Sequence, residues 1–510
     1  MEISKISSFH SRSHGAVPQP KGGRRFHVWL FLVAIFLLMS SGIPAATAAG
    51  GQEKPVATAP GGGEKPVVAT APGGSEKSAA APAGAGEAAG GAKDTPNAMS
   101  VISNTCVSCH SEDNRGIIQQ WGNSKHYGAN VGCYECHKAE EGDPDAFMHK
   151  KYLISTLVTP KDCARCHETE TKQFAASSHA RAGSNLDVTI PHTLATMVQS
   201  DGTKEGIQAA TSGCVQCHGS KIEVNKSGKL LAHTWPNSGI GRVNPDGSLG
   251  SCTACHQRHD FSLSQARRPE TCGKCHQGSA HPQKDVYNES KHGISFYSNI
   301  EHMNLSSPKW IPGQDYYSGP TCTTCHMSGT LTVGMTHDVS KRISWNLAQP
   351  ISKPTGEDSD ARRDEMKSVC FSCHTERYVE NFYSQFDNTV NLYNSKYGEP
   401  GVRLMEALLK SGLRTEKQFD DPIEWVWFKL WHVAGRNARS GAAMLAPDFA
   451  QWKGFAELAE LFYSRLLPEA DALITKAEAA GRGAQVAEAK KALLDIKNDP
   501  ANVWMKSSGQ

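Results

Sequence analysis

The sequence has little apolar material, almost no net charge and no cysteine outside one repeated motif. Hydrophobic residues make up 38% of the 510 residues and aromatic residues 7%, which is lean for a core built from side chains alone. The formal net charge of +2 gives no basic surface of the kind that binds nucleic acid. Beyond the N-terminal region, no apolar run is long enough to cross a bilayer. These deficits argue against a nucleic-acid-binding protein and against a membrane span in the mature chain.

The first 48 residues are typical of an export signal. Lys21, Arg24 and Arg25 precede the apolar run VWLFLVAIFLLM, and the small residues ATA at 46–48 suit cleavage. The run is shorter than the roughly 20 residues that a membrane span needs. We therefore predict a signal peptide over residues 1–48 and an exported protein in the periplasm or an equivalent compartment. An uncleaved N-terminal anchor is the alternative.

Residues 49–98 are predicted to form a disordered linker rich in Ala, Gly and Pro. The stretch EKPVATAPGG at 53–62 nearly repeats as EKPVVATAPGG at 64–74, and the segment has no aromatic residue. It cannot bury enough apolar surface to offset the entropy of ordering. We divide the remaining chain into a haem-binding domain over 99–380 and a C-terminal helical region over 381–510, expected to pack on the haems and on neighbouring subunits.

All sixteen cysteines belong to eight copies of C-x-x-C-H, the attachment signature of c-type haem. The first cysteines are Cys106, Cys133, Cys163, Cys214, Cys252, Cys272, Cys322 and Cys370. The second cysteines are Cys109, Cys136, Cys166, Cys217, Cys255, Cys275, Cys325 and Cys373. The adjacent histidines, expected as proximal iron ligands, are His110, His137, His167, His218, His256, His276, His326 and His374.

This pattern favours eight covalent haems over zinc sites, disulfides or a catalytic thiol. Zinc sites do not require a histidine directly after the second cysteine, and no cysteine is left over for another role. Eight haems also account for the lean composition, because the macrocycles supply the core.

Eleven further histidines follow the export signal, enough to fill the second axial position of every iron. They are His126, His149, His179, His192, His233, His259, His281, His292, His302, His337 and His432. Counting alone leaves open whether one iron keeps a free position for substrate. Asp260 and Asp338 directly follow His259 and His337, so we expect these carboxylates to hold the two rings. His432 lies on a predicted helix that begins at DDP.

Beyond the last motif the pattern predicts helices that end at Gly412, at Gly481 and at NDP, residues 498–500. Their predicted bounds are about 402–411, 422–439, 449–466 and 468–496.

The text between the motifs resembles a known family. The stretch GSCTACHQRHDFSLSQARRPETCGKCHQGSAHPQKDVYNESKHGI at 250–294 is similar to the octahaem cytochromes c of the hydroxylamine oxidoreductase and hydrazine dehydrogenase family. TWPNSGIGRVNPDG at 234–247, PTCTTCHMSGT and THDVSKRISWN fit the same family, and the resemblance runs from about residue 100 to 470.

The resemblance implies a mostly α-helical multihaem cytochrome c with a haem-packed core and long C-terminal helices. It also implies trimers, or assemblies of trimers, in which seven haems have two histidine ligands. The fourth haem, on Cys214, Cys217 and His218, is then five-coordinate and catalytic. The implied distal ligands are His126, His149, His179, His259, His292, His337 and His432. His192, His233 and His302 are left as bystanders.

Two positions depart from the oxidative members of the family. In GSAHPQ, His281 matches the histidine above the catalytic iron, but Ala280 stands where an aspartate is expected. After PD, Phe449 replaces the tyrosine that cross-links to a neighbouring subunit's haem. Members without the tyrosine are associated with reduction of nitrogen oxides. The plain alternative is that Phe449 packs in an apolar stripe on a helix capped by Asp448. The members of this stripe are Phe449, Trp452, Phe455, Ala459 and Phe462.

We therefore expect an octahaem oxidoreductase that reduces nitrite or nitric oxide to nitric oxide, hydroxylamine or ammonium. His281 is the expected proton donor near neutral pH, and a small c-type cytochrome is the expected redox partner. Oxidation of hydroxylamine or hydrazine on the same scaffold is one alternative. A conduit in which all eight irons have two histidine ligands, with no catalytic site, is the other.

Overall fold

The computed structural model describes residues 101–184, 202–502 and 504–507. The predicted signal peptide, the linker and His192 lie outside these residues. No helix in the described ranges is long and apolar enough to cross a membrane.

The described chain is mostly helical, as the sequence predicts. Its α-helices are Val101–Asp113, Arg115–Gly122, Lys125–Gly128, Cys133–His137, Pro160–Cys163, Glu168–Ala176, Lys204–His218, Leu263–Arg267, Pro269–Gly273, Gln283–Glu289, Lys291–Ser298, Cys322–His326, Ser359–Cys370, Glu376–Tyr393, Glu399–Lys410, Pro422–Phe428, Gly435–Met444, Pro447–Ala450, Glu457–Leu461, Leu467–Ala479, Ala487–Asn498 and Trp504–Ser507. Short 3₁₀ helices cover Ser178–Arg181, Cys252–Ala254, Ile300–His302 and Pro500–Asn502.

Strands are few and short. Phe147–His149 pairs antiparallel with Tyr152–Ile154, with Phe147 opposite Ile154. Trp345–Asn346 pairs antiparallel with Lys353–Pro354. The first hairpin turns through Lys150, whose φ is +57°, and this turn fixes the position of His149 at the end of its strand.

Buried apolar side chains are concentrated in the C-terminal helices. Residues 376–498 hold 28 buried hydrophobic residues, whereas the described residues from 101 to 375 hold 14. The largest cluster runs from Tyr393 to Ile496. The C-terminal region therefore has a conventional side-chain core, while the cysteine-bearing region does not.

Helix Glu376–Tyr393 was not predicted, and the predicted domain boundary at residue 380 falls inside it. It buries Val379, Tyr383, Phe386, Val390 and Tyr393, which are spaced four and three residues apart, as on one face of a helix. The breaks at Gly412 and Gly481 occur as predicted, and both glycines have the positive φ that such a break requires (+60° and +77°).

The C-terminal helices contain four π-helical stretches, in which the chain gains an extra residue per turn. They are Asn394–Gly398, Lys429–Ala434, Gln451–Ala456 and Phe462–Leu466. The stretch at Gln451–Ala456 shifts the helical phase, so the predicted apolar stripe through Trp452 is wrong: Trp452 is 68% exposed and Leu458 is buried. The predicted cap is also wrong, because the N-cap of this helix is Ala446 and Asp448 lies in its first turn.

Candidate haem-binding and active site

Each C-x-x-C-H motif folds as a single helical turn that brings its histidine back to its first cysteine. The backbone N–H of the histidine donates to the carbonyl of that cysteine in several motifs. The distances are 2.9 Å for His167 to Cys163, 3.0 Å for His256 to Cys252, 2.9 Å for His276 to Cys272 and 2.9 Å for His374 to Cys370. Both thiols and the imidazole of a motif therefore lie on the same turn, as covalent haem attachment requires.

The SKH sequences place two further histidines at helix N-termini. Ser124 caps helix Lys125–Gly128 by accepting from Tyr127 N, and Ser290 caps helix Lys291–Ser298 by accepting from Gly293 N. Each capping serine puts the histidine that follows it by two residues in the first turn of a short helix.

Five of the eleven histidines outside the C-x-x-C-H motifs each face a motif histidine. The ring-centre separations are 6.1 Å for His110 and His149, 6.2 Å for His126 and His167, 6.0 Å for His179 and His276, 6.4 Å for His256 and His337, and 6.0 Å for His292 and His374. A sixth pair is His137 and His259. Burial is the larger cause that lowers the pKa of His259, and the nearby ring of His137 lowers it further.

These separations suit a metal ion bound between the two rings. A metal–nitrogen bond of about 2 Å on each side, plus about 1 Å from each nitrogen to its ring centre, gives roughly 6 Å. Several motif histidines also have their outer nitrogen held, which orients a ligand ring. Nδ1 of His110 lies 2.7 Å from Asn114 Oδ1, and Nδ1 of His137 lies 2.8 Å from the carbonyl of Ser155.

The expected carboxylate partners do not take this role. Asp260 accepts from Ser262 N at 3.4 Å and Asp338 from Ser340 N at 2.9 Å, each in a local turn that Asp favours. Nδ1 of His337 is buried without a hydrogen-bond partner in the described part of the chain. The predicted role of Asp338 is therefore wrong, because its carboxylate bonds the backbone instead.

Thiols of different motifs also lie in contact. Neighbouring thiols are Cys106 and Cys133, Cys163 and Cys252, Cys217 and Cys275, and Cys272 and Cys322. The motif at 272–276 therefore adjoins both the motif at 214–218 and the motif at 322–326.

The residues of this region fit c-type haems. All sixteen cysteines are unpaired thiols, six histidine pairs flank gaps, and the region has few buried apolar side chains. The motif cysteines would carry the thioether bonds and the paired histidines the irons.

His218 is held by a glycine-rich turn. Gly241 N donates to the carbonyl of His218 at 3.1 Å, and Ile240 N donates to that of Cys217 at 3.0 Å. A Cβ on Gly239 would collide with the backbone of Gly219, so only glycine permits this approach. The segment SGIGR thereby fixes the motif that sequence reasoning assigns to the catalytic haem.

His218 faces His281, which in turn faces His432. The ring centres of His218 and His281 are 6.4 Å apart, and those of His281 and His432 are 6.0 Å apart. His432 was expected opposite a motif histidine. Its observed neighbours are His281 and Phe428, whose ring stacks on it at 4.4 Å.

Arg436 lies against His281 and was missed by sequence reasoning. Its Nη1 is 3.4 Å from His281 Nε2 and donates to the carbonyl of Ala280 at 3.2 Å, while Nη2 donates to the carbonyl of Ala348 at 2.6 Å. Arg436 follows His432 by four residues and therefore shares its helix face. That spacing indicates a position near His432, but it does not indicate the contacts with Ala280 and His281.

At pH 7 one member of this pair is neutral and the other is charged. Burial, and then the charge of Arg436, lower the pKa of His281 to about 4, so the ring is neutral at pH 7. The sequence had suggested that His281 titrates near neutral pH, and this expectation is wrong because the pKa is lowered. Burial, and then repulsion from Arg439, lower the pKa of Arg436 to about 10, which leaves it charged at pH 7. Nε2 of His281 therefore accepts from the guanidinium.

Phe449 is buried in its own chain. It is 8% exposed and clusters with Val286 and Ala446, and Nζ of Lys453 lies 4.2 Å from its ring centre. This position agrees with packing rather than with a side chain extended towards another subunit.

The predicted bystanders lie apart from these pairs where the structure describes them. His233 lies near Glu223 and Glu205, with nitrogen–oxygen distances of 3.2 and 3.7 Å. His302 ends the short 3₁₀ helix Ile300–His302.

Comparison with known proteins agrees with the multihaem character of the chain. A sequence profile described as seven times multi-haem cytochrome CxxCH matches residues 243–422, and one for cytochrome c554 and c-prime matches residues 162–257. A solved structure described as a hypothetical multiheme protein superposes with a TM-score of 0.66 at 27% identity, covering 76% of this chain and 97% of that one. The chain therefore has a multihaem cytochrome fold.

Two curated proteins that are similar to this chain each match only part of it. The chain is 29% identical over 237 residues to a probable nitrite reductase-hydroxylamine oxidoreductase fusion protein of Kuenenia stuttgartiensis, covering 44% of this chain and 25% of the fusion protein. It is 24% identical over 231 residues to the multiheme cytochrome MtrA of Shewanella baltica, covering 44% of this chain and 56% of MtrA. The cytochrome thus matches a quarter of the first relative and about half of the second.

A reducing HAO-like protein complex of Kuenenia stuttgartiensis shares the fold. Its TM-score is 0.52 at 19% identity, over 74% of this chain and 87% of that one.

Proposed function

We propose that this multihaem cytochrome binds eight haems and reduces a small nitrogen oxide, with nitrite as the main candidate, at the site between His218 and His281. The observation that carries the proposal is the hydrogen bond between His281 Nε2 and Arg436. Because Nε2 is engaged with Arg436, it is not free to bind iron as the other facing histidines would. A position opposite His218 is then left for substrate.

The residues around this position favour reduction. Haem, when bound, supplies the electrons and an iron that coordinates small nitrogen species. Reduction of nitrite to nitric oxide takes up one electron and two protons and releases water. The ring of His281 is neutral and accepts from Arg436 through Nε2, so its Nδ1–H can donate a hydrogen bond to a bound oxygen, while water supplies the two protons. Ala280 supplies no carboxylate, and Phe449 no phenol for a cross-link.

Export, a homotrimeric assembly and electron supply by a small c-type cytochrome complete the proposal. They rest on the sequence of the first 48 residues and on the family resemblance.

A paired assay tests the direction of the reaction. Nitrite reduction with a reduced viologen should be faster than hydroxylamine oxidation with a dye acceptor, because neither the cross-link nor the aspartate of the oxidative members is present. Faster oxidation, or a covalent multimer on a reducing denaturing gel, would overturn the reductive assignment.

A non-catalytic conduit is the second candidate, and one observation favours it. The 6.4 Å between His218 and His281 equals the separation of His256 and His337, a predicted ligand pair. A resting spectrum with only low-spin haem would support the conduit. A high-spin component that nitrite converts to low-spin would support the enzyme.

A further inference from the structure

We propose that the side chain of Arg436 is the anion-binding group of this site and selects a negatively charged substrate such as nitrite over an uncharged one. This inference deepens the proposed function and rests on it. Nothing in the sequence motifs assigned a role to this residue.

The first argument is charge. Arg436 is a half-buried cation that forms no ion pair among the residues that the structure describes. Two other arginines that point inwards do form ion pairs: Arg342 pairs with Glu365 at 3.1 Å and Arg363 with Asp387 at 2.6 Å. A charge taken out of water without a counter-ion is costly. A bound anion would supply the missing partner.

The second argument is hydrogen bonding. Nε of Arg436 is buried without a partner in the described residues. Its other contacts are the neutral acceptors Ala280 O, Ala348 O and His281 Nε2, and the ring of Trp431, whose centre lies 5.4 Å from the guanidinium carbon. A guanidinium with an unused N–H suits a planar, two-oxygen anion, because its donors match such an anion in pairs.

The third argument is the contrast with Arg439 on the same helix. The guanidinium of Arg439 donates to four carbonyl or hydroxyl oxygens, those of Gly435, Gln349, Trp431 and Ser352, and it stacks on Tyr393. Every guanidinium nitrogen of Arg439 therefore donates a hydrogen bond within the fold. Among the described residues Nε of Arg436 has no such partner, and its side chain borders His281.

The fourth argument is position. The carbonyl of Ala280 accepts from Arg436, so the residue that replaces the family's aspartate touches the guanidinium. An aspartate there would place a negative charge close to Arg436 and offset part of its positive charge. Alanine at position 280 leaves that charge available to substrate.

The test compares a charged with an uncharged substrate in holoprotein variants. Michaelis constants for nitrite and for hydroxylamine, both reduced with a viologen, are measured for the wild type, Arg436→Gln, Arg436→Lys and Ala280→Asp. Arg403→Gln removes one charge from an exposed position and is the matched control. Dissociation constants for nitrite come from spectral titration of the oxidised proteins, and haem content is measured for each.

For Arg436→Gln we expect the nitrite KM and dissociation constant to rise about tenfold to a hundredfold, the usual effect of losing a charged hydrogen bond. The hydroxylamine KM should stay within about twofold of the wild type. Ala280→Asp should weaken nitrite in the same direction, Arg436→Lys should retain part of the affinity, and Arg403→Gln should change nothing.

Equal losses for both substrates, or lower haem content in Arg436→Gln, would overturn the inference in favour of a structural or haem-carboxylate contact. If Arg436→Gln fails to fold, Ala280→Asp decides, because unchanged nitrite binding in that variant contradicts the inference. If the wild type reduces neither substrate, the proposed function fails, while the titration still shows whether Arg436 holds nitrite.

Discussion

At the scale of single residues, two aromatic side chains three positions apart have opposite surroundings. Phe449 is packed against Val286 and Ala446, whereas Trp452 on the next turn is 68% exposed. The sequence presented both as members of one apolar stripe. Phe449 lies before the π-helical stretch Gln451–Ala456 and Trp452 lies inside it, and no simple periodicity predicts an extra residue in a turn.

Truncation of these two residues should therefore have unequal effects on stability. Phe449→Ala removes a buried ring and leaves a cavity, which typically costs about 3–5 kcal/mol. Trp452→Ala alters an exposed residue of the isolated chain and should cost about 0.5 kcal/mol or less. Chemical unfolding of both variants against the wild type measures the difference. A large loss for Trp452→Ala would contradict this and would show that another subunit covers Trp452.

The same scale explains why Arg436 was not predicted. Its contacts with Ala280 and His281 join residues 156 and 155 positions apart, and long-range pairing leaves no mark in local sequence. By contrast, the haem motifs were readable because five adjacent residues carry the whole chemistry. The residues within each motif were therefore predictable from the sequence. The contacts between helices that bring Arg436 to His281 were not.

At the scale of elements, most helix ends follow from caps and glycines that the sequence displays. The bounds near Gly412, Gly481 and Asn498 agree with prediction to within a few residues. Helix Glu376–Tyr393 was missed although its buried residues recur every three or four positions. The periodic signal for this helix is therefore present in the sequence.

The capping serines of the SKH sequences should stabilise their helices measurably. Ser290→Ala removes the hydroxyl that accepts from Gly293 N at 3.1 Å and should cost about 1 kcal/mol. Ser290→Asn retains an acceptor and is the matched control. Unfolding monitored by circular dichroism compares the two. Equal stability of Ser290→Ala and the wild type would show that the cap contributes nothing to holding His292.

At the scale of the whole molecule, the core changes character along the chain. Residues 376–498 bury apolar side chains against one another, whereas the cysteine-bearing region has half as many in a longer stretch. A region with so little apolar burial cannot offset the entropy of ordering by side chains alone. Haems are therefore structural as well as chemical components of the molecule.

Haem-free chain should fold only in part. When it is made without covalent haem attachment, we expect rapid proteolysis within residues 101–375 and a resistant fragment that contains the C-terminal helices. Mass spectrometry of the fragments after brief trypsin treatment gives the cleavage sites, with the holoprotein as control. Uniform resistance of the haem-free chain would show that the haem-binding region folds without its cofactors.

The number of covalently bound haems is a property of the whole molecule that the motifs predict. Sixteen cysteines in eight motifs, all unpaired in the structure, predict eight haems held by thioether bonds, which survive denaturation. The intact mass of denatured holoprotein should exceed that of the haem-free chain by eight haems, and no cysteine should react with an alkylating reagent. The haem-free chain, as control, should carry sixteen alkyl groups. A mass excess of seven haems with two alkylated cysteines would contradict the prediction, and the alkylated pair would identify the motif that stays empty.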